Sequence, residues 1–205
     1  MLDRVAQRLL QPGLQSLAVR LVAAGVGADA LTLAGFALGL GAAVALATQA
    51  WTAGLVLMLA SRLLDGLDGA VARLTQPTDR GAFLDIALDF LFYASVPLAF
   101  AVADPARHAL PAAALLAAFV GTGSSFLAFA VLAERRGLRS AVYPHKGLYF
   151  LGGLTEGTET LLCFVAMALW PEAFAPLAWT FAGLCAVTVA TRLVAGWRML
   201  GGPAR

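Results

Sequence analysis

Four aspartates stand inside a run that otherwise reads as membrane-buried: Asp65, Asp68, Asp85 and Asp89 in SRLLDGLDGAVARLTQPTDRGAFLDIALDF. An ionised carboxylate in hydrocarbon costs roughly 2.5–3.5 kcal/mol by insertion scales unless something compensates it. Four together imply a compensating cation. Asp65 and Asp68 are three apart and Asp85 and Asp89 four apart, so each pair shares one helical face. Two such faces opposed form a compact oxygen cage. Oxygen-only ligands suit hard divalent cations such as Mg²⁺, Mn²⁺ or Ca²⁺, whereas zinc recruits His or Cys. The run contains neither.

The rest of the chain supports the membrane reading. Of 205 residues, 60% are hydrophobic and 13% charged, against about 45–50% and about 25% in a water-soluble domain. The fold class expected is all-α: a polytopic membrane protein with six transmembrane helices, each of roughly 20 residues. They are placed at about 30–48, from 51 into the Asp65/Asp68 region, and at about 81–103, 109–132, 148–170 and 174–195. A single domain over 1–205 is expected, with an interfacial segment over 1–28 and the spans over 29–198.

In that first segment Leu2, Val5, Leu9, Leu10, Leu14, Leu17, Ala18 and Leu21 recur at helical spacing, as in an amphipathic helix lying in the interface. Arg4, Arg8, Pro12 and Arg20 interrupt its apolar run, so it does not read as a signal peptide and is expected to be retained. Pro12 and Gly13 predict a break in two. Asp29 reads as a helix cap for the first span, whose Gly35, Gly39 and Gly41 allow close helix contact.

Lys and Arg concentrate on the cytoplasmic side of membrane proteins. On a six-span layout with the N-terminus inside, that side receives Arg4, Arg8, Arg20, Arg62, Arg73, Arg80, Arg135, Arg136, Arg139, Lys146, Arg192, Arg198 and Arg205, leaving Arg107 opposite. Both termini and the aspartates then fall at the cytoplasmic face. A net charge of +2 without a basic tract gives a nucleic-acid partner no compositional support. Cys163 and Cys185 lie in apolar segments and read as buried thiols.

In order, the cluster is Asp65-x2-Asp68-Gly69-x2-Ala72-Arg73, seven residues, then Gly81-x3-Asp85-x3-Asp89: eight positions over twenty-five residues. This resembles the signature of the CDP-alcohol phosphotransferase family, integral membrane enzymes that make phospholipids from a CDP-linked donor. The gap before Gly81 is one residue shorter than the family's usual spacing, in a predicted loop around Pro77 where such a change is tolerated. The stretch GVGADALTLAGFALGL is similar to the start of the family's first membrane helix.

The resemblance implies Mg²⁺ or Mn²⁺, as two ions held by Asp65, Asp68, Asp85 and Asp89, with Asp89 able to ligate or to act as the catalytic base toward the acceptor hydroxyl. Two such ions would clamp a pyrophosphate and polarise the phosphorus. Asp65, Gly69, Ala72, Arg73 and Gly81 would receive the CDP donor, the small residues by letting the nucleotide approach backbone and Arg73 through a forked cation suited to phosphate. The implied donor is CDP-diacylglycerol, the product CMP, the assembly a homodimer, the location a bacterial inner membrane. Arg62, Asp79 and Arg80 flank the signature and read as solvated helix-end charges, with a place lining the pocket as the alternative for Arg62.

Two readings of the acceptor stand. Glu156 and Glu159, three apart, read either as satisfied interior residues or as pocket carboxylates that favour hydroxyl-rich or cationic alcohols. Arg135, Arg136, Arg139, Lys146 and Arg192 would instead favour a phosphorylated one, and the polar stretch 134–146 reads as a topogenic loop or a cationic rim for anionic headgroups. Two other functions compete: a prenyltransferase, which also holds Mg²⁺ on pyrophosphate, and an intramembrane cation or proton transporter. A transporter has no need of Gly69-x2-Ala72-Arg73.

Overall fold

A computed structural model describes residues 2–137 and 153–201, with side chains from residue 9 onward. The expectations for Arg4, Arg8, Arg139, Lys146, Arg205, most of 134–146 and the start of the fifth span fall outside those residues. The described chain is helical, without a strand: α1 Leu2–Ala23, α2 Ala28–Ala47, α3 Trp51–Leu74, α4 Asp79–Ala103, α5 Pro105–Arg135, α6 Gly157–Leu169 and α7 Phe174–Leu200, the last preceded by a 3₁₀ turn at Pro171–Ala173.

Long alanine- and leucine-rich segments make these helices, α7 accommodating the β-branched Val187, Thr188 and Val189, and short breaks end them. Gly25, at φ +77°, turns the chain between α1 and α2 in a conformation that side chains disfavour. Thr78 begins α4 by accepting a hydrogen bond from the Gly81 amide at 3.0 Å. Asp104 begins α5, where it accepts from Arg107 Nε at 2.5 Å and from the Arg107 amide at 3.2 Å. These bonds hold the Asp104 carboxyl below its ordinary range.

Among the described residues, four helical segments are long and apolar enough to cross a membrane: α2, α4, α5 and Pro171–Leu200. α3 has the length but carries Arg62, Asp65, Asp68 and Arg73, and α6 has only 13 residues. Large apolar side chains such as Leu33, Val44, Val56, Leu98, Val120 and Trp197 are exposed, as suits a protein whose solvent is lipid.

α2 packs against both α3 and α4, α5 against α4 and α7, and α1 against α3. A Cβ at Gly35 would stand 3.3 Å from the Ser61 carbonyl, and one at Gly39 would stand 2.7 Å from Phe92 Cδ2. Glycine there is what lets α2 approach its neighbours. The main core holds Leu46, Met58, Phe92, Val96, Phe100, Leu115, Phe164 and Phe174, and a second cluster of Ala18, Leu31, Leu67 and Val71 joins α1, α2 and α3.

Two local expectations are corrected. α1 runs unbroken through Pro12 and Gly13. Proline forfeits one helical hydrogen bond, to residue 8, while Leu14, Ala18 and Leu21 pack into the second cluster and hold the following turns on α3. Gly27, not Asp29, caps α2. Asp29 sits in the first turn and instead takes a two-point contact on Oδ2 from Arg80, Nε at 2.9 Å and Nη2 at 2.5 Å.

Candidate functional site

α3 leads from the aromatic end of the bundle to the opposite end and α4 leads back, so Asp65 and Asp68 from one face Asp85 and Asp89 from the other. Carboxylate oxygens of Asp65, Asp68 and Asp85 all lie within 4.8 Å of one another. Like charges at that distance repel by about 3 kcal/mol per pair at an effective dielectric of ~20. Asp68, 5% exposed, is fixed by a 2.6 Å hydrogen bond donated by the Thr32 hydroxyl of α2. The donors are hard oxygens and their spread needs only slight contraction around an ion bonded at about 2.1 Å, so the residues fit Mg²⁺ or Mn²⁺.

Asp89 lies outside that trio. Its Oδ1 meets Arg62 Nη1 at 2.5 Å, and the same nitrogen is 3.4 Å from Asp65 Oδ1. Arg62 therefore corrects the expectation of a solvated helix-end charge: its side chain is 11% exposed, with Cζ 3.9 Å from the centroid of the Phe92 ring. A sequence signal existed in its position one turn before Asp65, but its partner lies 27 residues away on another helix. Thr32 gave no signal.

The other signature residues continue α3 and open α4. Arg73 is exposed and folds back over Gly69, where a Cβ would stand 3.3 Å from Nη1. Ala72 is partly buried beside it. A Cβ at Gly81 would meet Asp29 Oδ1 and Thr78 Oγ1, each at 3.2 Å. Asp79 stands in the first turn of α4, where a negative charge favours the helix.

A cavity of about 270 Å³ opens beside Asp89, bounded also by Tyr93, Thr122, Glu156, Thr160 and Arg192. Arg192 was expected at a helix end; it is 8% exposed on α7 and donates from Nη1 to the Thr122 carbonyl at 3.0 Å. Its buried Nε has no partner among the described residues. Glu156 is 6% exposed, accepts from the Gly153 amide at 3.3 Å and begins α6 in a reciprocal capping box with Glu159. Glu159 accepts from the Glu156 amide at 3.3 Å. Of the two glutamates, Glu156 lines the cavity. Arg135 and Arg136 end α5, Arg135 exposed, and neither borders the cavity. Cys185, buried, does, and both cysteines are free thiols.

Residues 26–194 match the family model described as CDP-alcohol phosphatidyltransferase. The chain is 51% identical over 200 residues to "Inner membrane protein YnjF" of Escherichia coli (strain K12), covering 98% of this chain and 97% of that one. It superposes on phosphatidylinositol phosphate synthase (PgsA1) of Mycobacterium tuberculosis. The structure with CDP-DAG bound gives a TM-score of 0.67 at 24% identity, over 90% of this chain and 93% of that one. The complex with manganese and citrate gives 0.70 at 26% identity, over 90% and 88%.

Proposed function

The chain belongs to the CDP-alcohol phosphatidyltransferase family, transferases of substituted phosphate groups in phospholipid synthesis, and from that premise we propose that it moves a phosphatidyl group from CDP-diacylglycerol to a small polar alcohol. The donor is supported by the CDP-DAG bound in the PgsA1 relative, and a divalent ion by the manganese in the other PgsA1 complex. The observation that carries the reading is the position of Asp89, between a carboxylate trio and a polar cavity.

Asp65, Asp68 and Asp85 would hold the ion, which when bound neutralises the donor pyrophosphate and polarises its phosphorus. Gly69, Ala72, Arg73 and Gly81 would receive the nucleotide: two have no side chain, one has a methyl, and the exposed guanidinium pairs with phosphate. Asp89 would take the proton of the acceptor hydroxyl as its oxygen bonds to the phosphatidyl phosphorus. The bond from that phosphorus to CMP breaks, and CMP leaves with the electron pair.

The cavity of about 270 Å³ has room for a small polyol or its phosphate. Arg192 and Glu156 would orient that acceptor. As part of the same proposal, α3 and α6 complete six spans in a single domain of the inner membrane, with α1 in the interface and the site toward the cytoplasm. The apolar, outward-facing surface, the arginine distribution and the E. coli relative's name support this layout; the homodimer rests on resemblance alone.

The test is CMP release by purified protein with CDP-diacylglycerol and Mg²⁺ or Mn²⁺ across a panel of alcohols, beside Asp89→Asn. Acceptor-dependent release lost in the variant supports the reading. Release that ignores both acceptor and Asp89 removes it.

A further inference from the structure

Among the described residues, the charged side chains around the cavity beside Asp89 are Glu156 and Arg192, both buried and neither part of the eight-position signature. Gly153 brings them close. Its amide donates to Glu156 Oε1 at 3.3 Å, and a Cβ added there would run into Thr188 Cγ2 and stand 3.4 Å from Arg192 Nη2. Only a residue without a side chain lets the chain entering α6 pass so near α7.

The start of α6 is where such a cavity would ordinarily take an anion, because the first amides of a helix are donors without intrahelical partners. Gly157 and Thr160 of that turn border the cavity. Here the reciprocal capping box of Glu156 and Glu159 fills the place from within, so an incoming phosphate meets a carboxylate where it needs donors.

The cations offer no surplus either. Asp89 is matched by Arg62, which does not border the cavity, and Arg192 is balanced by Glu156. A phosphate dianion binds through several charge-assisted donors, and no described cation remains in excess for it. An ammonium group faces the Arg192 guanidinium across the same space, while the Glu156 carboxylate already accepts backbone amides. What suits the lining is an uncharged group that both accepts and donates. Arg192 Nε, buried and without a partner among the described residues, can donate to a hydroxyl oxygen, and Tyr93, Thr122 and Thr160 add hydroxyls of their own.

We propose that Glu156 is the specificity-determining residue of the acceptor site: it excludes phosphate esters and makes the acceptor a small uncharged polyol, held by Arg192 and Glu156 with one hydroxyl toward Asp89. The inference rests on the reading of the chain as a transferase and of this cavity as its acceptor site.

The test is CMP release by the purified full chain with CDP-diacylglycerol and Mn²⁺, comparing kcat/KM for glycerol, inositol, their monophosphates, serine and ethanolamine. The expected result is that a free polyol exceeds its own monophosphate at least about tenfold. Glu156→Gln, which keeps an oxygen for capping but loses the charge, is expected to reduce that ratio at least about tenfold through a lower KM for the phosphate ester. Glu159→Gln, which disturbs the same capping box outside the cavity, leaves the ratio within about twofold. A merely structural role for Glu156 would lower both activities together and leave the ratio unmoved.

Release that is best with a phosphate ester or an amino alcohol, or an unchanged ratio in Glu156→Gln, overturns the proposal and leaves the transferase standing. Release with no acceptor removes the transferase reading and the proposal with it. If Glu156→Gln does not fold, the order of acceptors in the wild type still decides.

Discussion

The two ends of the helix bundle are built on opposite physics from the same elements. Where α3 begins and α4 ends, Trp51 stacks on Phe100 at 5.4 Å, Phe100 on Phe174 at 4.4 Å, and the Phe100 carbonyl meets His108 Nδ1 at 3.2 Å. Where α3 ends and α4 begins, three carboxylates crowd within 4.8 Å of one another. The first end gains from every contact; the second loses until a cation arrives. A close-packed aromatic end can fix the register of helices whose other ends repel, because interiors resist small displacements. Stability and chemistry are thus separated along the length of single helices rather than between domains.

The largest effect that would break this comparison lies in the acidic half. Asp89→Asn is expected to lower kcat for CMP release by about 10²–10⁴-fold, the range for a lost general base, and to lower the melting temperature in detergent, because the buried Arg62 keeps only Asp65 as an ionic partner. A lower melting temperature with kcat per folded molecule unchanged would mean that Asp89 serves the fold alone. Asp85→Asn sharpens the contrast: transfer and Mn²⁺ affinity are expected to fall together, as for a residue of the carboxylate trio. Unchanged Mn²⁺ affinity there would take Asp85 out of the trio.

The aromatic half gives the reverse pattern. Phe100→Ala leaves a cavity in a fully buried stack and is expected to cost about 3–5 kcal/mol of stability, while kcat per folded molecule holds. Next in size, Arg192→Gln removes a buried cation from the cavity and is expected to raise the acceptor KM about tenfold or more at constant kcat, in line with a charge-assisted bond worth about 1.5–3 kcal/mol. A change in kcat alone would move Arg192 from acceptor binding to the chemical step.

The smallest effect is at Asp104, at the aromatic end but in solvent. Its carboxyl is held low by the hydrogen bonds from Arg107, so its contribution is present at neutral pH and fades as pH falls below about 4. Asp104→Asn should slightly lower the melting temperature at pH 7 and shrink the further drop on acidification. An unchanged acid profile would leave the Arg107 contact without energetic weight.

These experiments touch residues of different visibility in sequence. The carboxylate pairs were legible because three- and four-residue spacings translate directly into helix faces, and α2, α3, α4, α5 and α7 fell close to their expected places because apolar length is a local property. Arg62 and Arg192 were legible only as alternatives. Arg62 reads as a pocket residue or a helix-end charge, and Arg192 as a helix-end charge or one of several cations for an acceptor phosphate; only the packing of α3 on α4, and of α5, α6 and α7 around one cavity, selects the inward reading. Pro12 misled for the same reason: its local penalty was visible, whereas the tertiary contacts of Leu14, Ala18 and Leu21 were not. Asp29 has capping chemistry, but Arg80, 51 residues away, claims its carboxylate.

The polarity of α3 has a consequence for how the protein is made. With Arg62, Asp65, Asp68 and Arg73 in 24 residues, α3 stands apart from the four segments able to cross a bilayer on apolar length alone. Charges near a helix centre cost roughly 2.5–3.5 kcal/mol each at the translocon. Asp89 of α4 and Thr32 of α2 supply partners that offset that cost, so on the proposed six-span layout insertion of α3 into lipid is coupled to its packing on α2 and α4.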